Sequence, residues 1–226
     1  MGRYYTGRQA RDYDTRLRAF TTCTHTEALA VIDFEALRRV GQREGRSPWV
    51  LDVACGTGLF LKQLLERAPM ITAFGVDASA EMLEQARARL SGYPNAHLEQ
   101  VLVGADGTAT LPFAPDSFDL ITCTNALHAI PDALGALTEW RRLLRPAGLI
   151  ALEDLARREA PFPWMPFEWL VRQIVGESVH VLTLPEVKAL CVEAGLQVAA
   201  ERAFSIDWLL RGWVLRATQG LDVLAT

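Results

Sequence analysis

A doubly wound α/β fold built on a mostly parallel sheet is predicted by three observations. Residues 50–61, VLDVACGTGLFL, read as a buried strand with an acid near its end, then a glycine turn, then the start of a helix. A second apolar run closes on Asp77, nineteen residues after Gly58. From residue 50 to residue 153, short apolar runs alternate with amphipathic segments, the rhythm of strands joined by crossover helices.

The elements follow in order. Residues 1–20 mix Arg, Asp, Thr and three tyrosines, Tyr4, Tyr5 and Tyr13, with no strong apolar stripe, so an arm or lid is expected there rather than a core element. Leu29, Ile32, Phe34, Leu37 and Val40 recur at near-helical spacing and predict one amphipathic helix over 26–40, ending at Gly41. The linker GQREGRSP leads into the first strand, where Val50, Leu51 and Val53 form the run of a strand covered on both faces. The helix over 59–68 stops before Pro69, and a strand over 71–76 follows. A helix over 78–90 has Ser79 as its N-cap and Met82 and Leu83 turned inward.

Strands over 97–103 and 118–123 flank the loop GADGTATLPFAPDS. Pro131 and Asp132 open a helix to about residue 144, which Pro146 and Gly148 end before a fifth strand over 149–153. The rhythm breaks over 156–182, where aromatics stand among three prolines and only WLVRQIV reads as a short helix. A helix over 184–194 ends at Gly195, and strands over 196–203 and 209–217 complete the sheet.

Composition narrows the function classes. At 226 residues, 50% hydrophobic and 22% charged, the chain can bury one large core, so a single domain with appendages is expected. The net charge of −4 and the lack of any Lys/Arg run argue against a nucleic-acid partner. No apolar run is long enough to span a bilayer, and the polar N-terminus lacks the centre of a signal peptide; a cytoplasmic protein is expected. Cys23, Cys55, Cys123 and Cys191 stand far apart with no CxxC pair, which favours small buried residues over a metal site, a disulfide framework or thiolates that bind a metalloid.

The glycine turn selects its ligand by what it lacks. Counting from Gly56, the sixth position is Leu61, where a dinucleotide fingerprint needs Gly or Ala for close packing at the pyrophosphate. There is no GK[ST] for a triphosphate, and Asp52 would repel any phosphate nearby. A cationic or zwitterionic ligand suits such a pocket, and Asp77 at a strand end suits a pair of ribose hydroxyls. GxG alone is shared with ordinary tight turns; the two acids make it more specific.

Four ordered blocks, LDVACGTG, GVDASAEMLEQAR, LPFAPDSFDLITCTNALHAIPD and RRLLRPAGLIALED, span roughly residues 47–153. Together they resemble the class I S-adenosylmethionine-dependent methyltransferases, in particular the branch of ubiquinone/menaquinone C-methyltransferases and their small-molecule relatives. The resemblance implies a Rossmann-like, seven-stranded, mostly parallel sheet of order 3-2-1-4-5-7-6. It implies one domain over 1–226: a helical lid (1–45), a cofactor core (46–154), a substrate-side insert (155–183) and a C-terminal helix and strands (184–226). S-adenosylmethionine would be the cofactor, S-adenosylhomocysteine its product and a small molecule the partner, with a homodimer left open.

Carried onto this chain, the resemblance places Asp52, Ala54, Gly56, Thr57 and Gly58 under the amino-acid moiety of the cofactor. Asp77 and Ala78 would lie at the ribose, Met82 on the adenine, and Asp106 and the Gly107 N–H at the adenine edge. Thr124 and Asn125 would face the methionine portion, and Tyr13 matches a lid tyrosine that is equally read as an ordinary surface residue. Three departures stand out: Asp106 lies five residues before Leu111 rather than four, and Ala54 and Ala147 occupy positions where glycine is common.

Methyl transfer from a sulfonium is an in-line displacement, and holding the partners close, aligned and dry supplies much of the catalysis. If the acceptor must lose a proton, His128, just after the fourth strand, is the candidate base; its alternative is a structural role in a helical turn. Glu153 and Asp154 would orient substrate or merely end a strand in solvent, and His180 is a weaker candidate. Phe162, Trp164, Met165, Phe167 and Trp169 would roof an apolar or aromatic acceptor or pack as core. Three functions stay open: a small-molecule methyltransferase, a same-fold enzyme with other chemistry, and a non-catalytic scaffold.

Overall fold

The apolar run ahead of the glycine turn becomes β1 (Trp49–Val53), the strand on which the sheet is centred, in a computed structural model that describes residues 7–101, 110–157, 180–208 and 210–220. Every residue of β1 from Val50 to Val53 is buried, because β1 has strands on both sides and helices on both faces. β2 (Thr72–Asp77) and β4 (Phe118–Thr124) flank it in parallel, β3 (Ala96–Gln100) extends β2, and β5 (Leu144–Leu155) extends β4. β7 (Arg211–Gln219) pairs antiparallel with both β5 and β6 (Leu196–Ser205). The order β3-β2-β1-β4-β5-β7-β6 is the one the resemblance implied.

Alternation along the strands splits the core into two layers. Val50, Leu120 and Ala151 face one layer with Leu61, Leu64 and Leu65 of α5 (Leu59–Arg67), Ala28 of α3 (Arg18–Val31) and Leu37 of α4 (Phe34–Glu44). Leu51, Ile121 and Leu152 face the other, with Leu137 and Trp140 of α7 (Ala133–Leu143), Val187 of α8 (Leu184–Glu193), and Trp213. Truncating a fully buried leucine such as Leu61 to alanine would cost about 2–5 kcal/mol. Ser79 caps α6 (Ala80–Arg89) by accepting the Met82 N–H at 3.2 Å, and Met82 and Leu83 turn inward as expected.

Three local expectations need correction. The helix over 26–40 is two helices, because Asp33 accepts the Ala36 N–H at 2.8 Å and starts α4 after a break at Ile32. The polar arm is helical from residue 7, as α1 (Gly7–Arg11) and α2 (Tyr13–Arg16), and it docks on α6. β5 starts at Leu144 rather than 149: Phe118 pairs with Leu144 and Leu120 with Leu149, and the extra residues between accommodate Pro146 in an irregularity.

The crossovers leave the C-terminal ends of β1, β2, β4 and β5 on one edge of the sheet, where open α/β sheets bind ligands.

Candidate active site

Three residues of the 54–58 turn are left-handed: Ala54 (φ 56°), Gly56 (φ 54°) and Gly58 (φ 72°). A Cβ on Gly58 would stand 3.0 Å from the Ala86 Cβ, so this glycine also lets α5 approach α6. Ala54 matches the common glycine in bulk but not in conformation, and its left-handed backbone costs about 1–2 kcal/mol. Asp77 staples the turn: its Oδ2 accepts the Gly56 N–H and its Oδ1 the Ser79 N–H, both at 2.8 Å. Each oxygen keeps a lone pair for a diol, and burial raises the carboxyl above the ordinary aspartate range.

Beneath the turn, Asp52 is 1% exposed. Its Oδ1 accepts the Thr122 hydroxyl at 2.7 Å, while its Oδ2 is buried without a partner among the described residues. Burial pushes its pKa to about 7, against the Thr122 hydrogen bond that pulls it down. Asn125, also left-handed at φ 53°, donates its N–H to the Glu153 carbonyl at 3.0 Å and its Nδ2 to the Thr24 hydroxyl at 2.9 Å. Its Oδ1 is a second buried acceptor with no donor among them.

The N-terminal helices close this edge into a pocket. Tyr13, Asp14, Thr21 and His25 line one wall; Ala54 to Thr57, Leu59, Phe60, Thr124 and Asn125 line the other. Asp14 latches the two walls together by accepting the Thr57 hydroxyl at 2.8 Å and pairing with Arg89, which also bonds the Thr57 carbonyl. Gln85 adds a bond to the Ala10 carbonyl at 2.8 Å. His25 is 7% exposed, stands edge-on to Phe60 with centroids 5.0 Å apart, and leaves its Nδ1 unpartnered among the described residues. Burial lowers its pKa to about 4, so the imidazole is neutral at pH 7.

Along the edge, the turn over Leu127–Ala129 brings the His128 Nδ1 within 2.6 Å of the Asp154 Oδ1. The Asp154 Oδ2 accepts the His128 N–H at 2.8 Å, so one carboxylate fixes both backbone and ring. Burial acts to lower the His128 pKa, but Asp154 outweighs it and the net direction is upward. Glu153 and Asp154 are 0% and 1% exposed, which overturns the reading of a solvated strand end: α3 packs over β5, and β4 and β7 flank it. Both Glu153 oxygens lack partners among the described residues, and burial holds this acid well above the usual range.

The structure thus brings together Tyr13, Asp52, Ala54, Gly56, Thr57, Gly58, Asp77, Thr124 and Asn125 about one edge, with Ala78 after Asp77 and Met82 on the buried face of α6. Asp106 and Gly107, and Phe162, Trp164, Met165, Phe167 and Trp169, lie outside the described residues. The chain on either side of the aromatic stretch is nonetheless held near His128: the His180 N–H donates to the His128 carbonyl at 2.8 Å and the Arg157 N–H to the Leu182 carbonyl at 3.2 Å. Asp14, Thr21 and His25 escape the sequence reading, because only the docking of the N-terminal helices gives them a pocket to face. Cys55, Cys123 and Cys191 are buried and uncharged, their thiol pKa values raised by burial.

Acceptors without donors, a carboxylate poised for a diol and no cluster of cations among the described lining residues fit a ligand that carries an ammonium and a ribose. Comparison with known proteins agrees. Residues 51–152 match the family model described as a methyltransferase domain. Over this stretch the chain carries a methyltransferase domain, similar to those of the class I S-adenosylmethionine-dependent methyltransferases.

The chain is 31% identical to a demethylmenaquinone methyltransferase of Lactococcus lactis subsp. lactis over 142 residues, 62% of this chain and 54% of that protein. It is 37% identical to a trans-aconitate 2-methyltransferase of Azoarcus sp. over 124 residues, 51% of this chain and 46% of that protein. The chain spans about half the length of the curated relatives it matches. Among solved structures, a chain from the complex of the Haloferax volcanii Trm112 methyltransferase activator with a methyltransferase shares the fold. Its TM-score is 0.73 at 21% identity, with 94% of this chain and 96% of that one covered. The family's cofactor is S-adenosylmethionine, with S-adenosylhomocysteine as product.

Proposed function

We propose that the protein methylates an O, N or C atom of a small, apolar or aromatic acceptor, with His128 receiving the acceptor's proton. The observation that carries this reading is the His128–Asp154 pair at the ligand edge of the sheet. With the Nδ1–H donated to Asp154, Nε2 keeps its lone pair and the ring is held in one orientation. The bound cofactor supplies an electrophilic methyl group. As the methyl group is transferred, the His128 Nε2 would take the proton that the acceptor atom gives up. Tyr13 and the helices around it exclude water, Asp77 holds the ribose and Asn125 the methionine end.

Relatives named for demethylmenaquinone and trans-aconitate support a small-molecule acceptor. The aromatics over 162–169, in a stretch whose flanks are tied near His128, support an apolar one. A cytoplasmic location belongs to the same proposal; among the described residues no helix is long and apolar enough to cross a membrane.

Incubation with methyl-labelled S-adenosylmethionine and a panel of quinones, phenols and amines provides the test. Label on any acceptor, with stoichiometric S-adenosylhomocysteine, supports the proposal. Tight cofactor binding with no transfer to any acceptor would overturn it.

A further inference from the structure

The β6–β7 hairpin reaches past the edge on which the ligand groups sit. Thr124, the last residue of β4, pairs with Glu153 and through it with Val214, whereas the ladder between β6 and β7 runs on to the pair of Ser205 and Arg211. The strand from Val214 to Arg211 puts the start of the tip about 10 Å beyond the level of Thr124. The tip is a fixed turn: the Ile206 N–H donates to the Leu210 carbonyl and the Asp207 Oδ1 accepts the Leu210 N–H at 2.6 Å. At its head Trp208 is 86% exposed, against 38% for Trp49 at the opposite edge, and Ile206 and Leu210 stand half-buried beside it. Packing inside the described chain gives no use to a tryptophan held so far out in water. Cations stand around it. Glu27 pairs with Arg202 and the Cys23 Sγ reaches the Ser205 carbonyl, so α3 runs toward the tip as its numbering falls, and the exposed Arg18 lies about 7 Å of helix beyond Cys23. Over residues 11–18 and 205–211, Arg11, Arg16, Arg18 and Arg211 stand against Asp12, Asp14 and Asp207, and Asp14 is already paired with Arg89. In a chain of net charge −4 this is a local excess of positive charge.

We propose that the β6–β7 tip, with Trp208 at its head and Arg16, Arg18 and Arg211 around it, seats the ligand edge of the sheet on the surface of an anionic lipid bilayer. Tryptophan suits the boundary between headgroups and acyl chains, because its ring is apolar while its N–H stays wetted. The arginines add attraction to anionic headgroups within a Debye length of the surface. A turn held by its own backbone bonds loses little freedom on insertion. The pocket and His128 lie on the same edge, so an apolar acceptor dissolved in the bilayer meets the site without crossing water. That use of the contact rests on the apolar acceptor proposed above; the contact itself does not.

Co-sedimentation of the intact protein with lipid vesicles tests the contact. The wild type is expected to bind vesicles of equal parts phosphatidylcholine and phosphatidylglycerol, to bind phosphatidylcholine alone more weakly, and to release from the anionic vesicles as salt rises. Trp208→Ala, at a site exposed enough to leave the fold intact, is expected to lower partitioning about tenfold or more. The double variant Arg16→Gln with Arg18→Gln is expected to lower it about tenfold and to flatten the salt dependence. Trp49→Phe, at the opposite edge, should change nothing. No binding to anionic vesicles at low salt, or a Trp208→Ala protein that binds as the wild type does, would overturn the contact. So would a dimer that Trp208→Ala splits in sedimentation velocity, because the tip would then belong to a second copy of the chain. Vesicle binding is read without cofactor or acceptor, so its failure leaves the proposed methyl transfer standing, whereas a protein that binds vesicles and methylates no acceptor loses the proposed function and keeps the contact.

Discussion

The carboxylate of Asp154 grips His128 twice, through the ring Nδ1 at 2.6 Å and the backbone N–H at 2.8 Å. The ring hydrogen bond and the charge behind it are what raise the His128 pKa above 6.5 against burial. A base with a raised pKa is protonated over more of the neutral range, so the acidic limb of turnover should lie above pH 6.5. Asp154→Asn removes the charge and should move that limb to lower pH, with turnover at pH 8 reduced by about 10²-fold or more if His128 is the base. Cofactor affinity measured by calorimetry should stay within about twofold. An unmoved pH profile would leave His128 a structural residue.

Asp77 reaches two turns at once, the Gly56 N–H and the Ser79 N–H. Asp77→Ala should weaken S-adenosylmethionine binding by about 10–100-fold, because charge-assisted bonds to the ribose disappear and the turn loses its staple. Thermal denaturation of the cofactor-free variant should also show a lower midpoint. A loss of affinity with unchanged stability would mean that the staple contributes nothing.

Asp14 binds Thr57 and Arg89 across the pocket mouth. Both ion-pair partners are partly exposed, with side-chain accessibilities of 26% for Asp14 and 23% for Arg89. Asp14→Ala should therefore cost only about 0.5–1 kcal/mol of stability, yet raise the dissociation rate of the cofactor several-fold. Stopped-flow displacement of bound S-adenosylhomocysteine would measure it. An unchanged rate would show that the latch does not gate the pocket.

Asp52 ionises at about pH 7 when folded and at 3.8 when exposed. The folded state therefore holds this proton between the two values. The associated stability is fully present below pH 3.8 and is lost as pH rises through about 7. Asp52→Asn keeps an acceptor for Thr122 and removes the buried charge, so the cofactor-free variant should be more stable at pH 8 by on the order of 2–4 kcal/mol, with little gain near pH 4. Urea titrations at both pH values decide this. The same variant should bind S-adenosylmethionine less well, since the ammonium loses its anion.

Much of the cofactor edge is legible in the chain because it is local. Gly56 and Gly58, the run of β1 and the Asp77 strand end each follow from a few neighbouring residues, and the four blocks set their order. The helix boundary at Asp33 is hidden from a periodic reading because apolar spacing continues through it, while the cap that breaks the helix is one side-chain hydrogen bond. The burial of Glu153 and Asp154 is hidden for a different reason: both are polar at a strand end, and only α3, remote in sequence, covers β5.

The sequence by itself determined the alternation of strands and helices and the chemistry of the glycine turn, since periodicity, turn residues and strand-end acids act over short stretches of chain; the strand order followed from the resemblance to a known family. Tertiary structure alone decided which groups meet across distance. It set His25 and Asp14 of the N-terminal helices against the turn and placed His128 on Asp154. It also left Asp52, Asn125 and Glu153 with acceptors that nothing among the described residues satisfies. Burial and pairing of polar groups are properties of the packed chain, and no local pattern encodes them.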